Sequence, residues 1–238
     1  MNKTEVPRGF DGVAEHYDRL ISLNPGYKKH LSLSAQRLDL PAGAADSDRI
    51  RILDLCCGTG LSTAALRGAY PNAQIIGLDA SGEMLRVAAE RLGDDGTRFV
   101  VGDATDPRAS GVHGYFDAVL MAYGIRNIPS PDLCLGHVLS LLTPSGRVCF
   151  HEYALPNSRW HRAKWAMVSS AIIIPLSRIL AGDASLFRYL QQSVREFDGP
   201  EEFRARLMRA GFEAVQMLAM TGWQRGLLHS FVARRSAS

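Results

Sequence analysis

The 238-residue sequence contains no Cys-x-x-Cys pair and only four cysteines, at Cys56, Cys57, Cys134 and Cys149. Neighbouring cysteines such as Cys56 and Cys57 rarely bridge each other, because disulfide geometry is hard to reach between adjacent residues. No further thiol or histidine stands beside them at the spacing of zinc ligands. The sequence therefore predicts no metal site and no disulfide framework, and it indicates a reducing, cytoplasmic setting.

Long apolar runs and long basic runs are also missing. The most apolar stretch of the second half, residues 171–176, is far shorter than the ~20 residues that a membrane-spanning helix needs. Residues 1–12 carry no apolar core of the kind found in a signal peptide. No run of Lys and Arg exceeds two residues, and a net charge of +3 is too small to indicate nucleic-acid binding. We expect a cytoplasmic protein with at most peripheral membrane contact and no nucleic-acid partner.

From about residue 49 onward, short apolar runs alternate with helical patterns. Strands that alternate with helices pair in parallel through right-handed crossovers. We therefore predict an α/β fold with a doubly wound, seven-stranded and mostly parallel sheet. The predicted strands cover residues 49–55, 73–78, 97–101, 116–121, 147–153, 214–220 and 226–233, and the helices between them cover residues 61–70, 82–92, 132–142 and 200–210.

Two helical segments fall outside this alternation, one before the first strand and one after the fifth. We predict a single domain over residues 1–238, and its parts are an N-terminal helical segment at 10–45, a cofactor-binding core at 46–153, a helical lid at 154–198 and a C-terminal helix with two strands at 199–235. Ligands bind beyond the carboxyl ends of the strands in such sheets. Both helical segments are therefore expected to cover that edge.

The stretch LDLCCGTG, residues 53–60, ends the first predicted strand and opens the following helix. Gly58 and Gly60 allow a sharp turn and close approach to a ligand. A dinucleotide fingerprint would require a third glycine where this sequence has Thr63. Asp54, at the end of the strand, would repel a pyrophosphate but attract an ammonium group. This pattern favours S-adenosylmethionine over NAD.

Acidic residues also end the second and third predicted strands. Asp79 lies nineteen positions after Gly60. In nucleotide-binding folds of this type, an acid about 20 residues after the glycine loop accepts hydrogen bonds from the ribose hydroxyls. NAD would also require this acid. Asp103 is placed to accept a hydrogen bond from the adenine amine. Each acid alone is more often a loop cap, but three acids at three successive strand ends indicate a nucleotide-type site.

Several motifs resemble, in order and spacing, the class I S-adenosylmethionine-dependent methyltransferases, and more narrowly the ubiquinone/menaquinone-biosynthesis C-methyltransferases of the UbiE/MenG type. The resemblance covers most of residues 10–235. The motifs that carry it are LDLCCGTG, IIGLDASGEML, VVGDAT, FDAVLMAYGIRN, LLTPSGRV, FDGVA with Tyr17-Asp18, Glu152-Tyr153 with Pro156, and GDASLFRYLQQS.

The resemblance implies that the cofactor is S-adenosylmethionine and that its binding residues follow the strand ends. The methionine end is assigned to Asp54, Gly58, Thr59 and Gly60, the ribose to Asp79 and Ala80, the adenine to Met84, Asp103 and Ala104, the closing position after the fourth strand to Ala122, and the cofactor carboxylate to Tyr17.

Methylation of a quinol ring needs a nearby hydroxyl to lose its proton, so a base with a pKa near the working pH is expected. His151, at the end of the fifth strand, is our candidate base, although a histidine satisfied by hydrogen bonds at a strand end is an equally open interpretation. Arg126 and Asn127 belong to the family motif, and Arg126 is expected either to stabilise a phenolate or to pair with a lid acid such as Asp183. Tyr189 is a further catalytic candidate from the lid, with burial in the core as the alternative.

The match to the family weakens where the acceptor is expected to bind. The family usually has an aliphatic residue at the position of His151, and residues 20–30 lack the family's Trp-Arg stretch. The most favoured acceptor is a demethylmenaquinol-like prenylated ring methylated at carbon. The alternatives are O- or C-methylation of another hydrophobic small molecule, such as a polyketide or carotenoid-type compound, and a non-catalytic S-adenosylmethionine-binding protein. The sequence leaves the oligomeric state open, with a homodimer among the alternatives.

Overall fold

The computed structural model describes residues 3–22, 24–40, 50–93, 95–170 and 185–237. Its strands form one seven-stranded sheet in the order β3-β2-β1-β4-β5-β7-β6. The strands are β1 Arg51–Leu55, β2 Gln74–Asp79, β3 Arg98–Val101, β4 Phe116–Ala122, β5 Leu142–Tyr153, β6 Glu213–Ala219 and β7 Leu228–Arg234. The described helices are α1 Val6–Asp11, α2 Ala14–Ser22, α3 Tyr27–Gln36, α4 Leu61–Ala69, α5 Gly82–Leu92, α6 Pro131–Leu141, α7 Arg159–Val168, α8 Ser185–Glu196 and α9 Pro200–Arg209.

The first five strands are parallel, and β7 is antiparallel to both of its neighbours, β5 and β6. The connection between β6 and β7 is short, so these two strands pair as a hairpin, whereas the parallel strands require helical crossovers. The prediction of a doubly wound, mostly parallel seven-stranded sheet with N-terminal helices and a helical segment after the fifth strand is confirmed.

Both faces of the sheet are covered by helices. Successive side chains of a strand point to opposite sides, so one strand can contribute to two hydrophobic clusters. In β4, Val119 and Met121 belong to one buried cluster, and Ala118 and Leu120 belong to the other. Helices α6 and α9 cover the first face, and α3 and α4 cover the second. Phe203 of α9 packs edge to face on the rings of two strand residues that are fully buried, Phe150 and Phe231.

The fifth strand begins earlier than its sequence predicts. Leu142 already pairs with Phe116, and the register then shifts before Ala118 pairs with Arg147. The Pro-Ser-Gly stretch at 144–146, expected to close the preceding helix, therefore lies in an irregular part of β5, with Ser145 at a φ of 62°. The first helix also begins four residues before the predicted start of the N-terminal helical segment, at Val6 rather than at residue 10. The other predicted strand and helix boundaries within the described residues agree with the structure to within two residues.

The helical segment after β5 contributes α7 and α8, and the predicted lid residues 171–184 lie outside the described part. Among the described helices, none is both long and apolar enough to cross a bilayer.

Candidate cofactor and acceptor site

A cavity of about 440 Å³ lies at the carboxyl ends of the first five strands. The loops after β1, β2, β3 and β4 form its floor, and helices α1 to α3 together with α7 and α8 contribute its remaining walls. This is the position at which a doubly wound sheet offers its crevice. Most of the predicted cofactor-binding residues meet there, namely Tyr17, Gly58, Thr59, Asp79, Ala80, Met84, Asp103, Ala104 and Ala122.

The glycine loop after β1 provides space for a ligand. Gly58 has a φ of +54°, and a Cβ built on it would meet no atom within 4 Å, so the loop leaves open space at this point of the wall. Gly60, at a φ of +79°, has a different role because it does not line the cavity. A Cβ at Gly60 would lie 3.0 Å from the Cβ of Ala88, so this glycine permits α4 to begin against α5.

Asp79 has the orientation that a ribose-binding carboxylate requires. Its two oxygens accept hydrogen bonds from the backbone N–H groups of Gly58 and Ser81, each at 2.9 Å. Burial raises the pKa of Asp79, and these backbone hydrogen bonds act against that effect. The carboxylate is thus held rigidly at the cavity wall, with lone pairs left for a vicinal diol. Asp103 also lines the cavity, where its Oδ1 accepts the Thr105 N–H at 2.7 Å.

Asp54 does not line the cavity, contrary to the expectation that it contacts the methionine end. Its side chain is fully buried, and its Oδ2 accepts hydrogen bonds from the Ser62 and Thr63 hydroxyls, both at 2.7 Å. Asp54 lies on the strand face that packs against α4, so its side chain points toward that helix and away from the cavity. Burial raises its pKa to about 7, against the hydrogen bonds from Thr63 and Ser62. Its Oδ1 has no hydrogen-bond partner among the described residues.

Cys56 and Cys57 are small residues at points of close backbone approach. Cys56 has a φ of 55°, and a Cβ on Gly124 would lie 2.8 Å from its Sγ. A Cβ on Gly77 would lie 3.0 Å from the Sγ of Cys57. Burial raises the pKa of both thiols well above the usual range, so neither is a thiolate at neutral pH. The pair closes the loop against its neighbours, and both thiols are free.

Two acids attach the N-terminal helices to the cofactor loops. Asp11 Oδ1 accepts a hydrogen bond from the Ser81 hydroxyl at 2.5 Å, at the N-terminus of α5. Asp18 accepts one from the Thr59 hydroxyl at 2.7 Å and forms an ion pair with Arg91. We call the contacts of Asp11 and Asp18 the N-terminal latch. Tyr17, next to Asp18 in α2, lines the cavity, so the latch fixes the helix that carries this side chain.

Opening the latch is expected to weaken cofactor binding moderately. Asp18→Asn retains an acceptor for Thr59 but loses the ion pair with Arg91, and partly exposed pairs contribute up to about 1 kcal/mol. We expect the Kd for S-adenosylmethionine to rise about fivefold in calorimetry. Glu90→Gln is the matched control, because it removes an exposed ion pair with Arg86 on the same helix. Equal affinities of the two variants would contradict a role for the latch.

Aromatic residues make up the wall beyond the cofactor loops. Tyr123, at the end of β4, stacks on Tyr27 of α3 with ring centroids 5.2 Å apart and planes 15° from parallel. Tyr153 lies 5.6 Å from Tyr123 and 4.9 Å from Trp165 of α7. All four side chains line the cavity. This apolar, aromatic wall suits a planar hydrophobic acceptor.

His151 does not reach the cavity wall and lies behind Tyr123. Its Nε2 is 2.9 Å from the Tyr123 hydroxyl, and its Nδ1 is 2.7 Å from the Ser34 hydroxyl. Ser34 in turn contacts Ser230 at 2.8 Å, and Arg37 donates to Ser230 at 2.9 Å. Burial lowers the pKa of His151 to about 3, so the imidazole is neutral at physiological pH. These contacts correspond to the second interpretation of His151, a buried histidine satisfied by hydrogen bonds.

Arg126 lines the cavity as a buried cation with a carboxylate partner. Its guanidinium forms an ion pair with Glu152, and it donates to the Ser193 hydroxyl of α8 at 3.2 Å and to the Tyr123 carbonyl at 3.0 Å. Burial raises the pKa of Glu152, while the adjacent guanidinium holds that pKa down. The expected partner Asp183 lies outside the described residues, and Glu152 is the partner in the described part.

The two remaining catalytic candidates differ in position. Asn127 lines the cavity, and its amide donates to the Tyr123 carbonyl at 3.2 Å, while its Oδ1 has no partner among the described residues. Tyr189 does not line the cavity, although its neighbours Leu190 and Gln191 do. Its hydroxyl is buried and has no partner in the described part of the chain. Asn127 therefore remains available to a ligand, whereas Tyr189 does not.

Sequence reasoning missed four residues that shape the site. Tyr123 and Glu152 stood within quoted motifs, and Asp11 and Asp18 stood in the N-terminal motif, yet none received a role. Their side-chain chemistry was visible, but the partners come from segments far apart in sequence. The separation is 26 residues for Arg126 and Glu152 and 41 for Asp18 and Thr59.

Comparison with known proteins places these features in a family. The sequence model of the ubiE/COQ5 methyltransferase family matches residues 1–229. A demethylmenaquinone methyltransferase of Clavibacter sepedonicus is 33% identical over 219 residues, which cover 91% of this chain and 86% of the relative. The protein of the same name from Staphylococcus aureus is 29% identical over 223 residues, covering 93% and 90%.

Solved structures share the fold at low sequence identity. The plantazolicin methyltransferase BpumL, in complex with S-adenosylhomocysteine, has a TM-score of 0.66 at 15% identity, and the match covers 97% of this chain and 96% of that one. A phosphoethanolamine N-methyltransferase of Haemonchus contortus, in complex with S-adenosylmethionine, has a TM-score of 0.66 at 16% identity. This second match covers 95% of this chain and 57% of that longer chain. At these identities the likeness concerns the fold alone.

Proposed function

The chain belongs to the ubiE/COQ5 methyltransferase family and is an S-adenosylmethionine-dependent methyltransferase, and from this premise we propose that it methylates a ring carbon of a demethylmenaquinol-like prenylated quinol. The observation that carries the proposal is the buried Arg126 guanidinium beside an aromatic wall. An apolar ring that bears an ionisable hydroxyl matches this combination. The names of the two relatives support the same acceptor class.

We assign the cofactor to the loops at the strand ends. S-adenosylmethionine supplies a methyl group carried on a sulfonium, which makes that methyl electrophilic. Asp79 accepts hydrogen bonds from the ribose hydroxyls, and the open space above Gly58 accommodates the methionine end. Thr59, Ala80 and Ala122 complete this part of the wall, and Met84, Asp103 and Ala104 enclose the adenine, with Tyr17 of α2 above.

Arg126 acts on the acceptor as a fixed positive charge. An arginine stays protonated and is a poor base, so it favours loss of the quinol proton by stabilising the phenolate. Glu152 and Ser193 hold the guanidinium, and Asn127 offers its free Oδ1 to a neighbouring polar group. With S-adenosylmethionine bound, the ring carbon would take the methyl as the sulfur–methyl bond breaks. The hydroxyl proton would leave to solvent as the phenolate forms, the ring proton would leave when the methylated ring regains aromaticity, and the phenolate oxygen would take one proton back, so that one proton is released in total.

Tyr123 contributes a second polar group to the acceptor, and His151 positions it. Arg37 donates to Ser230, and we propose that Ser230 in turn donates to Ser34, which contacts His151. In this direction Ser34 donates to Nδ1, His151 Nε2–H donates to the Tyr123 oxygen, and the phenol proton is left for the acceptor oxygen. Burial raises the pKa of Tyr123 well above its usual range, so the hydroxyl keeps this proton.

Tyr123→Phe is expected to lower kcat/KM for the acceptor by about 10- to 10²-fold, because a hydrogen bond to a developing phenolate is worth about 1.5–3 kcal/mol. The ring and its stacking on Tyr27 remain. His151→Leu should show a similar loss. In the Tyr123→Phe background it should cause no additional loss, since it acts through the same hydroxyl.

The pH dependence separates this role from that of a general base. A histidine with a pKa of about 3 is deprotonated throughout the range from pH 5 to 8, so His151→Leu should leave the shape of the kcat/KM profile unchanged. Disappearance of an acid limb near pH 6.5 in this variant would instead identify His151 as the base. Additive losses in the double variant would also contradict the positioning role.

A second candidate is methylation, on oxygen or carbon, of another hydrophobic aromatic compound. The Tyr123–His151 pair favours it, because it adds a directed hydrogen-bond donor to the wall. Incubation with labelled S-adenosylmethionine and a panel that includes reduced demethylmenaquinol, polyketide phenols and carotenoid-type compounds tests both. Transfer to the quinol supports the first proposal, and transfer only to other acceptors overturns it.

A further inference from the structure

Helix α7 has an inner face that belongs to the cavity. Trp165 and Ser169, the residue that caps the end of α7, are one turn apart, are buried and line the cavity. The Trp165 indole donates to the Gln191 carbonyl of α8 at 3.2 Å and lies 4.9 Å from Tyr153. These contacts anchor the inner face of the helix to α8 and to the wall of the cavity.

The outer face of the same helix exposes large apolar side chains. Trp160 is 73% exposed and Met167 is 71% exposed, the highest values among the large hydrophobic residues of the described chain. At 100° per residue they lie within about 20° of each other and roughly 140–180° from Trp165 and Ser169. A tryptophan and a methionine in one exposed row are unusual on a monomeric soluble surface.

Two basic residues flank this exposed row. At 100° per residue, Arg159 and Lys164 lie about 100° and 40° from Trp160, whereas Arg162 lies about 160° from Trp160, on the far side of the helix. The segment Arg159–Val168 contains no acidic residue. Arg159 and Arg162 are exposed, and Lys164 is half-buried. Arg162 has only a 3.4 Å contact with Asn157, and the described structure gives no ion pair for any of the three. The outer face thus combines apolar side chains with two basic residues for which the described part of the chain gives no ion pair.

We propose that the outer face of α7 docks on the surface of an anionic lipid bilayer. Helices that lie in the interface bury aromatic and aliphatic side chains at the headgroup boundary, and their Lys and Arg residues contact anionic headgroups. Tryptophan favours this depth because its ring is apolar and its N–H is polar. The charge and the exposed side chains of α7 match such a surface. The contact is peripheral, with the helix lying in the plane of the membrane.

Docking through α7 rests on the proposed function and adds a route for the acceptor, because the inner face of the helix forms part of the acceptor cavity. A polyprenyl chain keeps its quinol in the bilayer, and a helix seated on that bilayer brings the cavity wall to the acceptor. Short-chain acceptors that dissolve in water do not need this route. The outer face should therefore affect membrane binding and long-chain turnover, but not the chemistry itself.

Vesicle sedimentation with the full chain tests the docking directly. We expect binding to vesicles of phosphatidylglycerol and phosphatidylcholine, and much weaker binding to phosphatidylcholine alone. Trp160→Ser/Met167→Ser and Arg159→Gln/Lys164→Gln should each weaken binding about tenfold or more, since one basic residue contributes about fivefold at an anionic surface.

Matched controls come from other parts of the surface. Tyr115→Ser removes an aromatic residue that is 57% exposed, and Arg98→Gln/Arg209→Gln removes the same charge from exposed positions elsewhere. These variants should bind vesicles like the wild type. Wild-type binding by the α7 variants, or an equal loss in the controls, would overturn the assignment of the docking face. Unchanged melting temperatures would show that all variants are folded.

Turnover distinguishes failure of docking from failure of the proposed function. The α7 variants should methylate a short-chain, water-soluble demethylated quinol at the wild-type rate, and a long-chain quinol in anionic vesicles about tenfold more slowly. If the wild type binds vesicles but methylates neither quinol, the proposed acceptor is wrong and docking stands. If it methylates the soluble quinol but does not bind vesicles, docking is wrong and the proposed acceptor stands.

Discussion

Asp79→Ala should raise the Kd for S-adenosylmethionine by about 10² to 10³-fold in calorimetry. The carboxylate is fixed by the Gly58 and Ser81 backbone N–H groups and lies on the cavity wall. Two charge-assisted hydrogen bonds to a diol, each worth about 1.5–3 kcal/mol, account for a loss of this size.

Asp117→Ala is the matched control for this variant. Asp117 also accepts a backbone hydrogen bond, from Arg51 at 2.9 Å, but it lies near the amino end of β4 and does not line the cavity. Both variants lose carboxylate-to-backbone hydrogen bonds and some stability. Only Asp79→Ala should lose cofactor affinity, and unchanged affinity in that variant would refute the ribose assignment.

Arg126→Met is expected to lower kcat by about 10² to 10³-fold, since a preorganised cation beside a developing oxyanion contributes on this scale. The same change leaves Glu152 buried without its partner, which typically costs about 3–5 kcal/mol of unfolding free energy. Denaturant titration measures the second effect, and turnover of the acceptor measures the first.

The double variant Arg126→Met/Glu152→Met separates these two effects. Replacing a buried ion pair by apolar side chains of similar volume is often neutral for stability, so the double variant should unfold close to the wild type. It should still lack activity, because the guanidinium is absent. Recovery of both stability and turnover in the double variant would show that Arg126 has a purely structural role.

The sheet and the cofactor wall could be predicted because both follow from short-range patterns. Alternating strands and helices indicate parallel pairing, and residues directly after a strand must lie at its carboxyl end. Gly58, Asp79 and Asp103 therefore line the cavity where the sequence places them. The irregular start of β5 was not predicted, because pairing of Leu142 with Phe116 depends on a neighbouring strand rather than on local sequence.

Side-chain direction at the strand ends accounts for the errors in the site. Asp54 and His151 lie on the sheet face that packs against α3 and α4, where they contact Thr63 and Ser34. Glu152, one residue further along β5, points to the opposite side and meets Arg126. Sequence position indicates the edge of the sheet but not which neighbour covers each face, so the partners of these groups require the tertiary structure.

The position of the transferred methyl tests the proposed chemistry most directly. Wild-type enzyme would be incubated with reduced demethylmenaquinol and S-adenosylmethionine carrying a ¹³C-labelled methyl, and the product would be examined by ¹³C NMR. We predict a single labelled methyl bonded to a carbon of the quinol ring. A labelled methoxy carbon, or label that enters other acceptors while the quinol stays unlabelled, would contradict methylation of the ring carbon.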